Sequence, residues 1–442
     1  MQRLLFCAGW IGVIGLGFNY GQTPTTRDLG LVGDRFRPLQ YEELTPEQKT
    51  MVEHLFSGER GGMRGPFNVL LRSPEMGDTA QQFGGQARFH SALPKQVSET
   101  VIILTGRYWT AQYEWSSHKA AALQAGLNPA IAEAIRAGKR PTGMTPDLEA
   151  AYNFIDELLT THQVSDATFQ AAKDRFGEKG VVDMMALSGW YCLVSMTLNV
   201  DRYPLAKGAK PDLDPLDNPL PPTGTAGFAT APVLNPSAVV AKTSLVGKSK
   251  MELRGDRFPG IAYEEMTPAQ KAATERALSG RGAIGAFNVA IRSPEIADAM
   301  WAFGDRIRFH LSVPDKLKEM AILITGRYWM AQFEWLAHRR AGVQAGLSEA
   351  TVRAIAEGKR PASLAPDEQA VYNFCTELYL TKQVSDATFQ AIKDKLGERG
   401  IVDILGAAGY YQIVSMFMNV DRYPLADASQ KPELSPLAKP LP

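Results

Sequence analysis

The chain contains two copies of the same sequence, and this duplication constrains the fold more than any other feature. Residues 99–126 and 319–346 share 16 identities over 28 positions, and the octapeptide QVSDATFQ recurs unchanged at 163–170 and 383–390. The offset between these segments is 220 residues, which is far too long for a solenoid repeat. The pattern therefore predicts two tandem copies of one domain.

The repeat also sets the expected domain boundaries. We assign the first domain to residues 33–221, the second to 254–442, and a linker rich in Ala, Thr, Pro and Ser to residues 222–253. A Pro-rich segment ends each copy, KPDLDPL at 210–216 and KPELSPL at 431–437. Because this segment is repeated, we expect an extended arm that packs on folded protein rather than a second linker.

Residues 1–21 have the pattern of a secretory signal peptide. Arg3 supplies a positive charge, and residues 4–18 form an apolar run that is too short to span a bilayer. A cleaved signal predicts a periplasmic or secreted protein with no membrane partner after cleavage, and an uncleaved membrane anchor is the alternative interpretation.

Charge and cysteine content exclude several classes of function. The 47 Lys and Arg balance 47 Asp and Glu, so we expect no nucleic-acid partner. Only three cysteines are present, and Cys7 lies in the signal segment. A disulfide framework and an all-thiolate zinc site are thereby excluded. No Gly-rich phosphate loop follows a strand and no HExxH motif occurs, so we expect neither a cofactor nor a metal.

Hydrophobic periodicity predicts an all-α fold with seven or eight helices in each copy. Start signals such as Thr45-Pro46-Glu47 and Ser165 precede apolar residues at helical spacing, and Gly177 punctuates the region before the last helix. That last helix, with the sequence GWYCLVSMTLNV, is apolar nearly all round and should lie in the centre or at an interface. No stretch alternates like a strand for more than a few residues.

The densest polar signal in each copy is a Glu and a His four residues apart. Glu114 and His118, and in the second copy Glu334 and His338, share a helix face. A carboxylate at this spacing raises the pKa of the imidazole and orients it, which is what a general acid or base at neutral pH requires. A solvated surface pair is the alternative interpretation.

Aromatic and basic residues beside these pairs are the candidate substrate-binding groups. Arg107 and Arg327 would clamp a carboxylate, although an ion pair with an acidic neighbour is an equal alternative. Rings that would wall the two sites are those of Tyr113, Trp115, Phe333 and Trp335.

Three further pairs of positions have structural interpretations. His90 and His310 end helices before a proline and are interpreted as caps. His54 matches Arg276, and His162 matches Lys382, so both histidines are interpreted as surface residues.

These motifs resemble the carboxymuconolactone decarboxylase and alkylhydroperoxidase D-like superfamily, present here twice. The resemblance covers roughly residues 67–138 and 287–358. It implies two tandem helical domains of the alkylhydroperoxidase D-like type. It also implies a supporting glutamate nineteen residues before each histidine, which falls on Glu99 and Glu319.

The chain departs from the peroxidase branch of this superfamily. The Cys-x-x-Cys pair of that branch falls on Ala111 and Glu114, and on Ala331 and Glu334. A thiol peroxidase needs a thiolate nucleophile, so a peroxiredoxin-type activity is disfavoured. The segment from Glu114 to His118 instead resembles the Glu-Leu-x-x-His pattern of the decarboxylase branch.

The expected function is that of a cofactor-independent acid/base enzyme, decarboxylase-like, acting on a small organic acid or lactone. A non-enzymatic ligand-binding module is the alternative. For Glu99 and His118 to meet, the chain must turn back, because nineteen residues of straight helix span about 28 Å. We therefore predict a helix break at 108–112 and at 328–332. We also predict pairing of the two copies about a pseudo-two-fold axis, in a monomer or in a trimer of tandem domains.

Overall fold

The computed structural model describes residues 27–216, 251–425 and 430–436. Over these residues it contains sixteen α-helices and two short strands, which confirms the all-α class. The predicted signal peptide and nearly all of the predicted linker lie outside the described residues.

Each repeat folds into eight helices in the same order. The first repeat contains α1 (Pro46–Ser57), α2 (Phe67–Leu70), α3 (Pro74–Phe89), α4 (Lys95–Tyr108), α5 (Gln112–Gln124), α6 (Pro129–Arg136), α7 (Pro146–Thr161) and α8 (Asp166–Asp201). The second contains α9 (Pro268–Ser279), α10 (Phe287–Ala290), α11 (Pro294–Phe309), α12 (Asp315–Tyr328), α13 (Gln332–Gln344), α14 (Glu349–Ala356), α15 (Pro366–Thr381) and α16 (Asp386–Asp421). Strands β1 (Met251–Glu252) and β2 (Ala283–Ile284) pair in parallel.

Local sequence explains where the helices start and bend. Thr45 caps α1 in a capping box with Gln48, and the side chain of Ser165 accepts a hydrogen bond from the Thr168 amide at the start of α8. Within α8, Gly177 adopts φ 66°, which interrupts the helix where the sequence placed a boundary.

The last part of α8 and of α16 forms the centre of the molecule. Every residue from Gly180 to Asp201 and from Gly400 to Asp421 is buried, and the two helices pack against each other. By length and hydropathy alone both helices could cross a membrane, but the whole apolar window of each is buried inside the protein. Their apolar character is therefore explained by the core they form.

The two repeats contact each other through equivalent residues. Asn199 donates to the Lys382 carbonyl at 2.8 Å, and Asn419 donates to the His162 carbonyl at 3.0 Å. A contact that recurs with its two sides exchanged is the signature of a two-fold relation.

Two more reciprocal pairs repeat this pattern. Arg35 donates to the Val384 carbonyl as Arg257 does to that of Val164, and Ser73 donates to Asp403 as Ser293 does to Asp183. The buried side chains of both repeats form one continuous core. The predicted pairing of the copies about a pseudo-two-fold axis is thus observed, whereas assembly of several chains stays a prediction.

The Pro-rich arms pack on folded protein, as predicted, and each lies on its own repeat. The Gln112 side chain accepts hydrogen bonds from the Asp212 and Leu213 amides and donates to the Leu213 carbonyl. Gln332 binds the second arm at Leu434 in the same way. In each repeat one glutamine side chain thus forms hydrogen bonds with the arm backbone, as a neighbouring strand would, and holds the arm in place.

The interpretation of His162 as a surface residue is wrong, and its counterpart Lys382 is buried as well. Both side chains are buried, at 1% exposure, in the contact between the repeats. The imidazole of His162 packs 4.3 Å from the ring of Trp329, while the ammonium of Lys382 lies 4.5 Å from that of Trp109. Each residue ends a helix with a left-handed backbone conformation. The surrounding sequence is polar, and nothing in it indicates that this position packs against the other repeat.

Candidate functional site

The predicted helix breaks are present in both repeats. Helix α4 ends at Tyr108 and α5 begins at Gln112, with Thr110 between them at φ 50°. The equivalent residue in the second repeat is Met330, at φ 54°. A left-handed conformation is unusual for either residue type, and strongly so for a β-branched threonine.

Buried hydrogen bonds hold this conformation. The Ala111 amide donates to the Gly106 carbonyl at 2.9 Å, and Asn199 donates to the Trp109 carbonyl at 2.8 Å. The same Asn199 contacts the other repeat, so pairing of the copies supports the turn that the site needs. No glycine or proline in the sequence marked this position.

In the first repeat the turn brings His118 between two carboxylates. The His118 Nδ1 atom lies 2.6 Å from Glu99 Oε2, and its Nε2 atom lies 3.0 Å from Glu114 Oε1. The Nζ atom of Lys95 lies 2.6 Å from the other oxygen of Glu99. The three residues named from the sequence therefore form one buried cluster, with a lysine that the sequence analysis missed.

The electrostatics of this cluster favour a charged imidazole. Burial lowers the pKa of His118, but the carboxylates of Glu114 and Glu99 outweigh burial and raise it above the ordinary value. Burial alone would raise the pKa of Glu99. Hydrogen bonds from His118 and Lys95 outweigh this effect, so the pKa of Glu99 lies below its ordinary value. The arrangement suits a general acid that is oriented by Glu99.

A polar cavity of about 510 Å³ opens beside His118. Glu114 and His118 border it together with Arg60, Arg88 and Tyr191, and aromatic rings complete its wall. The edge of the His118 ring packs against Tyr191 with ring centres 4.9 Å apart. The Glu114–His118 pair therefore borders a space large enough for a small organic molecule.

The candidate substrate-binding residues of the first repeat divide into two groups. Tyr113 borders the cavity and packs on Tyr203 at 4.4 Å. Arg107 and Trp115 instead bind the arm: Arg107 donates to the Asp214 carbonyl at 2.7 Å, and Trp115 donates to the Asp212 carboxylate at 2.8 Å. The contact of Arg107 is neither a substrate clamp nor the side-chain ion pair considered as its alternative.

The second repeat places its equivalents in the same way. Arg327 donates to the Ser435 carbonyl and Trp335 to the Glu433 carboxylate, so both bind the second arm. Phe333 packs edge-on against Tyr423 at 4.8 Å.

The Glu–His cluster of the second repeat differs from that of the first in one distance. His338 Nδ1 lies 2.6 Å from Glu319 Oε2, as in the first repeat. The distance from His338 Nε2 to Glu334 Oε1 is 3.9 Å, so this contact is loosened. Burial raises the pKa of Glu334, whose second oxygen is buried with no hydrogen-bond partner in the described part of the chain.

The two cysteines in the described part of the chain are buried and free. Cys192 and Cys375 lie in α8 and α15, and burial raises the pKa of each thiol to about 12. Neither thiol is a nucleophile at neutral pH. Neither residue lies among those that line the cavity.

Arg60, Arg88 and Tyr191 border the cavity but were not among the residues predicted from the sequence. Arg60 and Arg88 were passed over because neither falls within the repeated motif around His118. Tyr191 is paralleled by Tyr411 in the second copy, and a tyrosine in an otherwise apolar helix was an available signal.

Other groups near the site have structural partners. His90 ends α3, as interpreted, and its Nε2 lies 3.2 Å from Glu59 on the surface. In the described part of the chain, no group of three or more His, Cys, Asp or Glu side chains is arranged to hold a metal ion.

Comparison with models of known protein families found no match for this chain, and comparison with curated proteins found none either.

Proposed function

We propose that this protein is a cofactor-independent acid/base enzyme that acts on a small organic acid or lactone. The observation that carries the proposal is the placement of His118 between two carboxylates at the wall of a polar cavity. A buried imidazole with a raised pKa and a fixed orientation is a general acid near neutral pH. The resemblance to the decarboxylase branch agrees with this chemistry.

A decarboxylation at this site would proceed as follows. The bond between the substrate carbon and its carboxylate breaks, CO₂ leaves, and the electron pair stays on that carbon as a conjugated enolate. The carbon then takes a proton from the His118 imidazolium, which Glu114 and Glu99 hold in place. Cations at the cavity wall stabilise the enolate oxygen while it carries negative charge.

A thiol peroxidase is disfavoured as a function. Both buried thiols have pKa values raised to about 12, and the positions of the peroxidase cysteines are occupied by Ala111 and Glu114. We expect no consumption of tert-butyl hydroperoxide in the presence of a dithiol.

The test is CO₂ release from a panel of unsaturated and aromatic-derived carboxylated lactones. Replacing both site histidines, in the double variant His118→Gln and His338→Gln, should lower the rate by about 10²- to 10⁴-fold, because that is the usual contribution of a general acid. The matched control is the double variant His90→Gln and His310→Gln, which removes two exposed imidazoles.

Two results would argue against the proposal. An undiminished rate in the first double variant would make these histidines structural. Binding of panel compounds without any turnover would favour the non-enzymatic ligand-binding module instead.

A further inference from the structure

The cavity of the first repeat is lined by buried donors without an acceptor. Arg60 Nε and Nη2, Arg88 Nε and the Tyr191 hydroxyl are inaccessible to solvent, and none of them has a hydrogen-bond partner among the described residues. Buried polar groups in native proteins are nearly always paired, and an unpaired one costs about 1–3 kcal/mol. Three residues that border one cavity therefore carry unsatisfied donors, and small side-chain rotations would turn these donors toward an acceptor bound in the cavity.

Aromatic rings hold Arg60 in position. Its guanidinium carbon lies 5.2 Å from the ring of Phe67, 5.5 Å from that of Phe89 and 5.4 Å from that of Trp190. Burial lowers the pKa of Arg60 to about 10, which leaves it a cation at neutral pH. A cation held by rings rather than by a carboxylate retains its donors for an anion.

In the second repeat an arginine of the protein itself occupies the corresponding position. Arg308 is the counterpart of Arg88, and its Nη1 lies 3.3 Å from His338 Nε2 and 3.4 Å from the Tyr411 hydroxyl. The same atom lies 3.8 Å from Glu319. The hydroxyl of Tyr411, the counterpart of Tyr191, therefore already has Arg308 as a hydrogen-bond partner.

One difference in sequence that accompanies the two arrangements changes the charge beside the buried glutamate. In the first repeat Lys95 neutralises Glu99, so Arg88 is not required there. The residue at the position of Lys95 in the second repeat is Asp315, which pairs with Lys318 and offers Glu319 no cation. Glu319 is buried, and a buried carboxylate needs a nearby positive charge, which Arg308 supplies.

We propose that only the first of the two sites binds a small organic carboxylate, through Arg60, Arg88 and Tyr191, whereas Arg308 occupies the second. Two guanidinium groups and a hydroxyl match the geometry of a carboxylate, and the aromatic wall suits a flat, unsaturated body. The ligand class rests on the proposed function. The division between the two sites rests on the contacts of Lys95 and Arg308.

The experiment is calorimetric titration of the full-length protein with benzoate as the probe, supported by the fluorescence of Trp190 at the cavity wall. We expect one site per chain. Tyr191→Phe should weaken binding about two- to tenfold, the effect of one lost hydrogen bond, and Tyr411→Phe should leave binding unchanged. This pair is matched, and Tyr191→Phe breaks no hydrogen bond among the residues that the structure describes.

Two charge variants test the cause of the asymmetry. Arg60→Met should weaken binding at least about tenfold, because it removes a charge-assisted contact. Lys95→Asp should weaken it similarly by drawing Arg88 toward Glu99, with a melting curve recorded to show that the variant is folded. If Lys95→Asp unfolds the chain, the two tyrosine variants still decide the outcome.

Three results would overturn the inference. These are two equal sites in the wild-type protein, weaker binding in Tyr411→Phe than in Tyr191→Phe, or no heat from benzoate at millimolar concentration. Because the readout is binding, benzoate bound at one site without turnover of any panel compound would reject the proposed enzyme and keep this division of sites.

Discussion

Single residues in the contact between the repeats govern how stability depends on pH. Lys382 is buried, donates to the Tyr328 hydroxyl at 2.6 Å, and faces three aromatic rings rather than a carboxylate. Burial lowers the pKa of Lys382 from 10.5 to about 7. Burial lowers the pKa of the nearby His162 imidazole, and the charge of the Lys382 ammonium lowers it further, to about 3.

We predict that Lys382→Met flattens the pH dependence of stability above neutral pH. Between the folded pKa of about 7 and the unfolded value of 10.5, unfolding takes up a proton, so the free energy of unfolding of the wild type rises with pH. The methionine variant lacks this proton uptake and should be more stable at pH 7, by an amount on the order of a few kcal/mol. Urea denaturation at several pH values between pH 7 and pH 9 measures both effects.

The control for this prediction is Lys359→Met, which removes an exposed lysine. Its free energy of unfolding should follow the wild-type pH dependence. Parallel curves for the wild type and Lys382→Met would mean that the buried amine titrates normally.

At the scale of elements, each arm covers the junction between two helices of its repeat, α4 with α5 in the first and α12 with α13 in the second. The second arm buries Leu434 against its repeat and receives hydrogen bonds from Gln332 and Arg327. Burial lowers the pKa of Arg327 to about 10, so this guanidinium lies in an environment that the arm helps to close.

Deleting residues 427–442 should therefore destabilise the protein. Loss of one buried leucine and several hydrogen bonds predicts a decrease in the free energy of unfolding of about 2–5 kcal/mol. Deleting only residues 437–442 keeps every described contact of the arm and should have little effect. Chemical denaturation of the two truncated proteins compares them directly, and equal stability would show that the arm contributes nothing.

At the scale of the whole molecule, close approach of α8 and α16 joins the two repeats. A Cβ atom placed on Gly189 would lie 2.8 Å from Ile413 Cγ1, which is closer than van der Waals contact allows. The absence of a side chain here lets the helices meet. The same pairing positions Asn199 on the α4–α5 turn, so it also supports the geometry of the site.

We predict that Gly189→Val destabilises the protein by about 1–3 kcal/mol, because overpacking at this contact outweighs the gain in helix propensity. The matched control is Gly85→Ala in α3, where the new Cβ meets no atom within 4 Å. This control should stabilise the protein by about 0.5–1 kcal/mol. Urea denaturation measures both, and a stabilised Gly189→Val would remove close helix packing as the reason for this glycine.

The sequence alone determined the features that depend on local chemistry and repetition. Periodicity and capping residues predicted the helices, and the duplication predicted two equivalent halves. The distance between Glu99 and His118 required a break between α4 and α5, because a straight helix would have kept them apart. The structure places that break where it was expected.

The tertiary structure decided what depends on which surfaces meet. Arg107 and Trp115 were expected beside the substrate, yet the arm binds both, because a segment about a hundred residues away covers them. Lys382 appears exposed in the sequence and is buried only because the other repeat packs over it. The two sites also differ in a contact between elements, since Arg308 on α11 reaches His338 on α13.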